Sequence, residues 1–107
     1  MNEQELEQTI QKKGLNAPRL DPDKIDAVID HVEYHVFPGS CLTVCCITLE
    51  NGFTVTGESA CASPENFDKQ VGQDVSYKVA RQKIWALEGY LLRQRLHEGE
   101  FPDVQTR

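Results

Sequence analysis

Apolar and polar positions alternate most clearly in the middle of the chain. Two runs rich in β-branched residues, Leu42–Leu49 and Phe53–Gly57, are separated by Asn51 and Gly52. An Asn-Gly pair between two such runs is a strong hairpin signal, because both residues of a two-residue turn adopt positive φ. In the second run the odd-numbered residues share one face and the polar even-numbered residues share the other. This alternation predicts a sheet with one buried and one wet face.

Capping residues and helical spacing predict four helices around the hairpin. Asp21 with Pro22, and Ser63 with Pro64, are typical helix starts, since an oxygen-bearing cap and a proline suit the first turn. The longest helix carries an apolar stripe at helical spacing, formed by Ala80, Ile84, Leu87 and Leu91. The predicted helices cover residues 3–13, 21–31, 64–71 and 74–98, with a break near Gly72, and residues 35–37 are expected to be extended.

These elements predict an α+β fold. We expect a small antiparallel β-sheet with a central Asn-Gly hairpin, packed against a long C-terminal helix and one or two shorter helices. The chain has 107 residues, which suits one domain. We therefore predict a poorly anchored N-terminal segment over residues 1–20, a single α+β domain over 21–98 and a C-terminal tail over 99–107.

The charge of the chain is unevenly distributed. Its net charge is −6, and we expect no DNA binding, which calls for basic surface. The window Val75–His97 nevertheless has a net charge of +4, from one acid and five basic residues, Lys78, Arg81, Lys83, Arg93 and Arg95. A local basic site in an acidic protein suits a small anion better than a long polyanion.

Neither a membrane span nor an export signal is visible. No apolar stretch approaches the roughly 20 residues that a transmembrane helix needs, and the start Met1–Glu5 lacks the basic and apolar regions of a signal peptide. We therefore expect a cytoplasmic protein without membrane association, whose four cysteines are reduced thiols.

Pairs of histidines and cysteines raise the question of a metal or a thiol catalyst. His31 and His35 are four residues apart, as are Cys41 and Cys45, and on helices either pair could share a metal. The cysteines lie on a predicted strand, however, where buried small hydrophobes are the default. Cys61 has no histidine base at a recognisable spacing. We predict no metal, no cofactor and no catalytic residue, and a thiol enzyme or hydrolase is the third hypothesis.

One stripe of the long helix combines small and basic residues. By three- and four-residue steps it contains Lys78, Gln82, Ala86, Gly89, Arg93 and His97. A partner helix or a ligand could approach closely at the small residues Ala86 and Gly89. Beyond them Arg93 and His97, one turn apart, could jointly hold a phosphate. The alternative is an ordinary solvated face.

Several runs of the chain, in order over about residues 25–97, resemble a family of small tailed-phage proteins long catalogued without a function. The runs are Glu33–Gly39, Leu42–Cys45, Asn51–Cys61, Pro64–Asp68 and Lys83–Tyr90. That family is similar to the first-described Thoeris anti-defence protein, a sponge for cyclic ADP-ribose isomers. The resemblance implies a phage protein in the host bacterial cytoplasm that sequesters a cyclic nucleotide signal without degrading it. It also implies cyclic oligonucleotides as further ligands and self-association as a dimer or hexamer.

The resemblance implies ligand pockets between two protomers. An aromatic side chain would stack on adenine, with Phe67 as the candidate, and helix arginines would contact the phosphates, with Arg93 as the candidate. His97 stands where a second arginine is expected. From sequence alone, Phe67 and Tyr77 are either core aromatics or stacking platforms. The predicted ligand-binding residues are Phe67, Tyr77, Arg81, Arg93 and His97.

Two functions of different class follow from these observations. The leading hypothesis is the non-catalytic sponge. The alternative is a phage protein-interaction module that binds a host or virion protein, with the stripe around Ala86 and Gly89 as its interface.

Overall fold

Three helices, three strands and a 3₁₀ turn follow one another along residues 1–100, the part of the chain that this computed structural model describes. They are α1 (Glu3–Lys12), α2 (Pro22–Ala27), β1 (Ile29–Val36), β2 (Leu42–Leu49), β3 (Thr54–Ala60), the 3₁₀ turn (Pro64–Asn66) and α3 (Lys69–His97). Over these residues, none of the helices combines the length and apolar character that crossing a membrane requires. Residues 101–107 of the predicted tail lie outside the described residues.

The three strands form an antiparallel sheet in the order β1-β2-β3. On the central strand every second residue is buried, namely Thr43, Cys45, Ile47 and Leu49. Successive side chains of a strand point to opposite faces, so these residues share the face that packs against α3. The predicted α+β fold, with a small antiparallel sheet against a long C-terminal helix, is confirmed.

The Asn-Gly hairpin is present, but its turn differs from the predicted one. The Leu49 amide donates to the Phe53 carbonyl at 2.8 Å, and the Gly52 amide donates to the Leu49 carbonyl at 2.9 Å. Gly52 has a φ of 90°, and no non-glycine residue among residues 1–100 has positive φ. The loop therefore has three residues, a type I turn followed by a left-handed glycine. Asn51 contributes through its Oδ1, which accepts a hydrogen bond from the Phe53 amide at 3.0 Å.

The described chain divides into two compact units. Residues 1–27 together with the residues from Trp85 onward form one, and Val28–Ile84 form the other. In the first unit, the Asp21 side chain caps α2 by accepting a hydrogen bond from the Lys24 amide at 2.8 Å, which confirms that predicted start. The division into residues 1–20, 21–98 and 99–107 stays a prediction.

An ion pair ties α1 to the segment that follows it. Arg19 reaches Glu7 with both terminal nitrogens, at 2.6 Å and 2.7 Å. This two-pronged contact is the main reason that the pKa of Glu7 is lowered to about 2, and a hydrogen bond from Gln11 lowers it further. Further along the same unit, Trp85 donates from its indole nitrogen to Glu3 at 3.0 Å.

The predicted helix over residues 21–31 is wrong in its second half. Helix α2 ends at Ala27, and β1 begins at Ile29. From His31 to Val36 the strand pairs without interruption with β2, after an irregularity next to Ile29. Cross-strand pairing here overrides the local helical spacing of the apolar residues, as tertiary context often does.

The predicted helix break at Gly72 is also wrong. Helix α3 is continuous from Lys69 to His97. Asp68 caps its start by accepting a hydrogen bond from the Val71 amide at 2.9 Å. A Cβ on Gly72 would lie 2.6 Å from Thr43 Oγ1. The glycine therefore permits close approach of the helix to the sheet. The predicted short helix before it is only a 3₁₀ turn.

Small residues hold the first half of α3 against the sheet. Its buried residues at four-residue spacing are Gly72, Ser76, Ala80 and Ile84. On the facing strand, a Cβ on Gly57 would overlap the Ser76 carbonyl oxygen and the Ala80 amide nitrogen. The apolar stripe is thus confirmed as core at Ala80 and Ile84, whereas Leu87 and Leu91, further along it, are exposed.

Candidate ligand-binding site

A buried arginine and a tyrosine form a polar pair on α3. Arg81 is only 8% exposed. Its Nη1 donates to the Tyr77 hydroxyl at 2.9 Å, and its guanidinium carbon lies 5.9 Å from the centre of the Tyr77 ring. Residues four apart on a helix are neighbours on one face. The hydroxyl and the ring face both lower the cost of keeping a charged group away from water.

Tyr34 on β1 brings a second phenol close to this pair. Burial raises the pKa of Tyr34, and the neighbouring Cys45, Tyr77 and Asp74 raise it further. Tyr34 lies directly opposite Cys45 in the register of β1 and β2, so both side chains are on the sheet face that packs against α3. The Tyr77 hydroxyl therefore holds the Arg81 guanidinium in place, and the raised pKa of Tyr34 keeps its nearby phenol neutral. Such an arrangement can bind an anion or a polar ring, and it contains no activated nucleophile.

The cysteine in this cluster is a structural residue. Cys45 is fully buried, and burial is the first reason that the pKa of its thiol is raised. A thiol becomes a nucleophile as its thiolate, which this environment disfavours. The predicted reading of the strand cysteine as a small buried hydrophobe fits its position.

The other predicted site residues lie on the surface. Phe67 follows the 3₁₀ turn, where its amide donates to the Pro64 carbonyl at 3.1 Å, and its side chain is 36% exposed. Arg93 and His97 are exposed in the last turns of α3. The structure thus brings Tyr77 and Arg81 together. Phe67 belongs to the same compact unit as that pair, and Arg93 and His97 belong to the other unit.

A comparison with protein families decides what kind of protein this is. The phage protein (N4 Gp49/phage Sf6 gene 66) family matches residues 20–96, well over half of the chain. The chain belongs to this family. The match confirms the small phage protein family that the sequence resembles. Among curated proteins and among solved structures, nothing matches significantly.

The region shared with the phage family contains most of the predicted site. Phe67, Tyr77, Arg81 and Arg93 lie inside the matched residues 20–96, whereas His97 lies directly after them. Helix α1 lies before the matched region. The sheet, the 3₁₀ turn and nearly all of α3 are therefore features of the phage family region, and the N-terminal helix precedes that region.

Within residues 1–100, the structure does not bring the histidine pair or the cysteine pair into a group of three possible metal ligands. Among residues 1–100, no three side chains of histidine, cysteine, aspartate or glutamate converge on one point. His31 and His35 both lie on β1 and Cys41 and Cys45 on or beside β2, and four residues of strand span about 13 Å. His31 instead contacts Asp30 at 2.8 Å, and His35 packs edge-on against Phe37.

Sequence reasoning missed Tyr34 as a neighbour of the Tyr77–Arg81 pair. The signal was present, because Val32, Tyr34 and Val36 alternate with polar residues at the spacing of a strand. The predicted extended segment covers only residues 35–37, so Tyr34 is not assigned to a strand. Once β1 is recognised, its pairing with β2 puts Tyr34 opposite Cys45, on the sheet face that packs against α3.

Proposed function

We propose that this phage protein binds a cyclic nucleotide immune signal and sequesters it without breaking any bond. The first ligand class is a cyclic ADP-ribose isomer, and cyclic oligonucleotides are the second. The protein would act in the host bacterial cytoplasm, where it keeps the free signal below the level that activates a defence effector. The sequence resemblance to the first-described Thoeris anti-defence protein supports this proposal, and so does membership of a phage family.

The observation that carries the proposal is the Tyr77–Arg81 pair. A guanidinium that is 8% exposed and held by a hydroxyl at 2.9 Å is already oriented before any ligand arrives. Arginine binds phosphate oxygens with two parallel hydrogen bonds. Because the side chain is shielded from water, a phosphate contact there is stronger than one on the surface.

The remaining predicted residues can contact the base and a further phosphate of a cyclic nucleotide. Phe67 is exposed enough for a base to stack on its ring, which is worth roughly 1–3 kcal/mol per base. Arg93 provides a second cationic contact near the end of α3, and His97 lies one turn further along the same helix. We propose that self-association as a dimer or hexamer brings the two groups of residues from different copies into one pocket.

A binding role agrees with the state of the thiols better than a catalytic one. Burial raises the pKa of Cys45 and also that of Cys61. A thiol enzyme needs the opposite shift. Replacing Cys61 with serine should therefore leave the binding of the signal unchanged.

The decisive experiment separates sequestration from degradation. The purified protein is mixed with a cyclic ADP-ribose isomer, the free signal is measured, and the mixture is then heated to unfold the protein. We expect the free signal to fall and then to return chemically intact. A chemically altered product after heating would instead identify an enzyme.

Matched variants on α3 sharpen this experiment. Tyr77→Phe removes the hydroxyl that holds Arg81, and Arg93→Ala removes the second cation. Both variants should bind less signal, so the free signal measured before heating should be higher than with wild type. Lys83→Ala removes an exposed cation of the same helix outside the predicted set and should retain the signal. Equal loss in Arg93→Ala and Lys83→Ala, with the signal retained by the charge-neutral Tyr77→Phe, would reduce the effect to net charge.

The alternative, a protein-interaction module, is favoured by one observation. Val71, Val75 and Val79 form an exposed row along α3 at four-residue spacing, 57%, 42% and 42% exposed. Exposed apolar rows of this kind often mark protein interfaces. A module for a host or virion protein would lose its partner on Val75→Asp and would bind no cyclic nucleotide.

A further inference from the structure

Two cysteines flank the open end of the β2–β3 hairpin. Strand β2 begins at Leu42 and β3 ends at Ala60, and these two residues are cross-strand partners. Cys41 directly precedes the first, and Cys61 directly follows the second. Continued by one position, the register places the two cysteines opposite each other.

The two thiols are close enough to affect each other. Both are half-buried and free, and the Cys41 thiol contributes to the raised pKa of Cys61, after burial. Directly opposed residues of an antiparallel pair have Cα atoms about 4.5–5.5 Å apart. A disulfide requires about 4.4–6.8 Å, and the register continued by one position gives the two Cα atoms a separation in this range.

We propose that Cys41 and Cys61 form a reversible dithiol–disulfide pair that fastens the open end of this hairpin. The oxidant is a low-molecular-weight disulfide such as glutathione disulfide. One cysteine thiolate attacks it and releases one glutathione thiolate. The second cysteine thiolate then attacks the mixed disulfide and releases the other. The two thiol protons end on the two glutathiones, and the two electrons reduce the glutathione disulfide.

The other two cysteines do not offer such a pair. Cys45 is fully buried and lies opposite Tyr34 on the neighbouring strand. Cys46 points to the opposite face of the sheet, where its cross-strand partners are Glu33 and Thr56. Burial and then the neighbouring Cys41 thiol raise the pKa of Cys61. Because the thiolate is the reacting form, the exchange should become faster as the pH rises.

The experiment uses the full chain in a series of glutathione redox buffers. Remaining thiols are blocked by alkylation, and the disulfide-linked peptides are identified by mass spectrometry. We expect one linked species that joins Cys41 to Cys61 within one chain and is reversed by dithiothreitol. In the oxidised state the melting temperature should rise by roughly 10 °C.

Two variants provide the controls. Cys46→Ser should form the same linked species at the same redox potential, whereas Cys41→Ser should carry glutathione on Cys61 instead. The proposal is overturned if wild-type Cys41 and Cys61 are alkylated or glutathionylated separately across the whole series. A link to Cys45 or Cys46, or a link between chains, would overturn it as well. The wild-type result is decisive even if a variant fails to fold.

Discussion

Between Lys69 and Ile84, α3 buries a row of small and apolar residues, whereas from Trp85 to His97 none of its described residues is fully buried. Both halves have apolar residues at helical spacing. In the first half the row includes Gly72, which touches Thr43 on the sheet. In the second half, a Cβ on Gly89 would lie 3.9 Å from Leu20 Cδ1, an ordinary van der Waals contact. Spacing alone therefore does not determine burial, which depends on how closely the opposite surface can approach.

The predicted ligand-binding residues follow the same difference. Arg81 lies in the first half and is fixed by Tyr77 while shielded from water. Arg93 and His97 lie in the second half and are exposed. A preorganised cation and an exposed one make different contributions to binding, because only the first needs no ordering when a phosphate arrives.

The largest expected effect comes from the contact between Gly57 and the first half of α3. Gly57→Ala should destabilise the protein by at least about 4 kcal/mol or prevent folding, because the added Cβ meets helix backbone that cannot move aside. Thr56→Ala, on the exposed face of the same strand, should cost less than about 1 kcal/mol. Urea denaturation measures both, and equal costs would contradict close packing at this strand.

Removing an apolar side chain should also change the free energy of unfolding by different amounts in the two halves of α3. Ile84→Ala should cost about 2–5 kcal/mol, since Ile84 is fully buried. Leu91→Ala should cost less than about 1 kcal/mol, since Leu91 is 46% exposed. Thermal and chemical denaturation of the two variants provide the values. A large cost at Leu91 would mean that this half is covered in solution, for example by a second copy.

Replacing each of the two helix glycines with alanine should change the free energy of unfolding in opposite directions. Gly72→Ala should destabilise by about 1–3 kcal/mol, because its Cβ would lie 2.6 Å from Thr43 Oγ1. Gly89→Ala should stabilise by up to about 1 kcal/mol, because alanine is the better helix former and its Cβ meets only an ordinary contact. Adding Thr43→Ala to the first variant should recover part of the loss. Stabilisation by both alanines would remove the argument for close approach.

The smallest effect concerns Glu7 in the unit that contains the second half of α3. Its pKa is lowered from 4.5 to about 2 by Arg19, so the ionised form stabilises the folded state. That contribution is fully present above about pH 5 and is lost as the pH falls toward 2. Glu7→Gln should therefore be less stable than wild type near neutral pH and equal to it near pH 2. A difference that does not change with pH would contradict the ion pair.

Much of the fold could be predicted from local signals. The Asn-Gly hairpin, the Asp21 cap and the long C-terminal helix all rest on neighbouring residues and were found. The errors at Gly72 and in β1 have a shared physical origin. Gly72 is explained by Thr43, and β1 by its pairing with β2, and both are contacts between residues distant in sequence.

The candidate site was only partly predictable for the same reason. Tyr77 and Arg81 are four residues apart, and helical geometry makes them neighbours. Tyr34 approaches them from strand β1, which no spacing within the helix reveals. The roles of Phe67, Arg93 and His97 rest on resemblance and stay predictions.

A calorimetric titration of the folded protein with a panel of cyclic ADP-ribose isomers and cyclic dinucleotides tests the central proposal most directly. We predict saturable binding of at least one member of the panel, weakened about tenfold or more by Arg93→Ala and unchanged by Lys83→Ala. If no member of the panel gives a heat of binding with protein whose fold has been verified, the account is contradicted and the protein-interaction module is favoured.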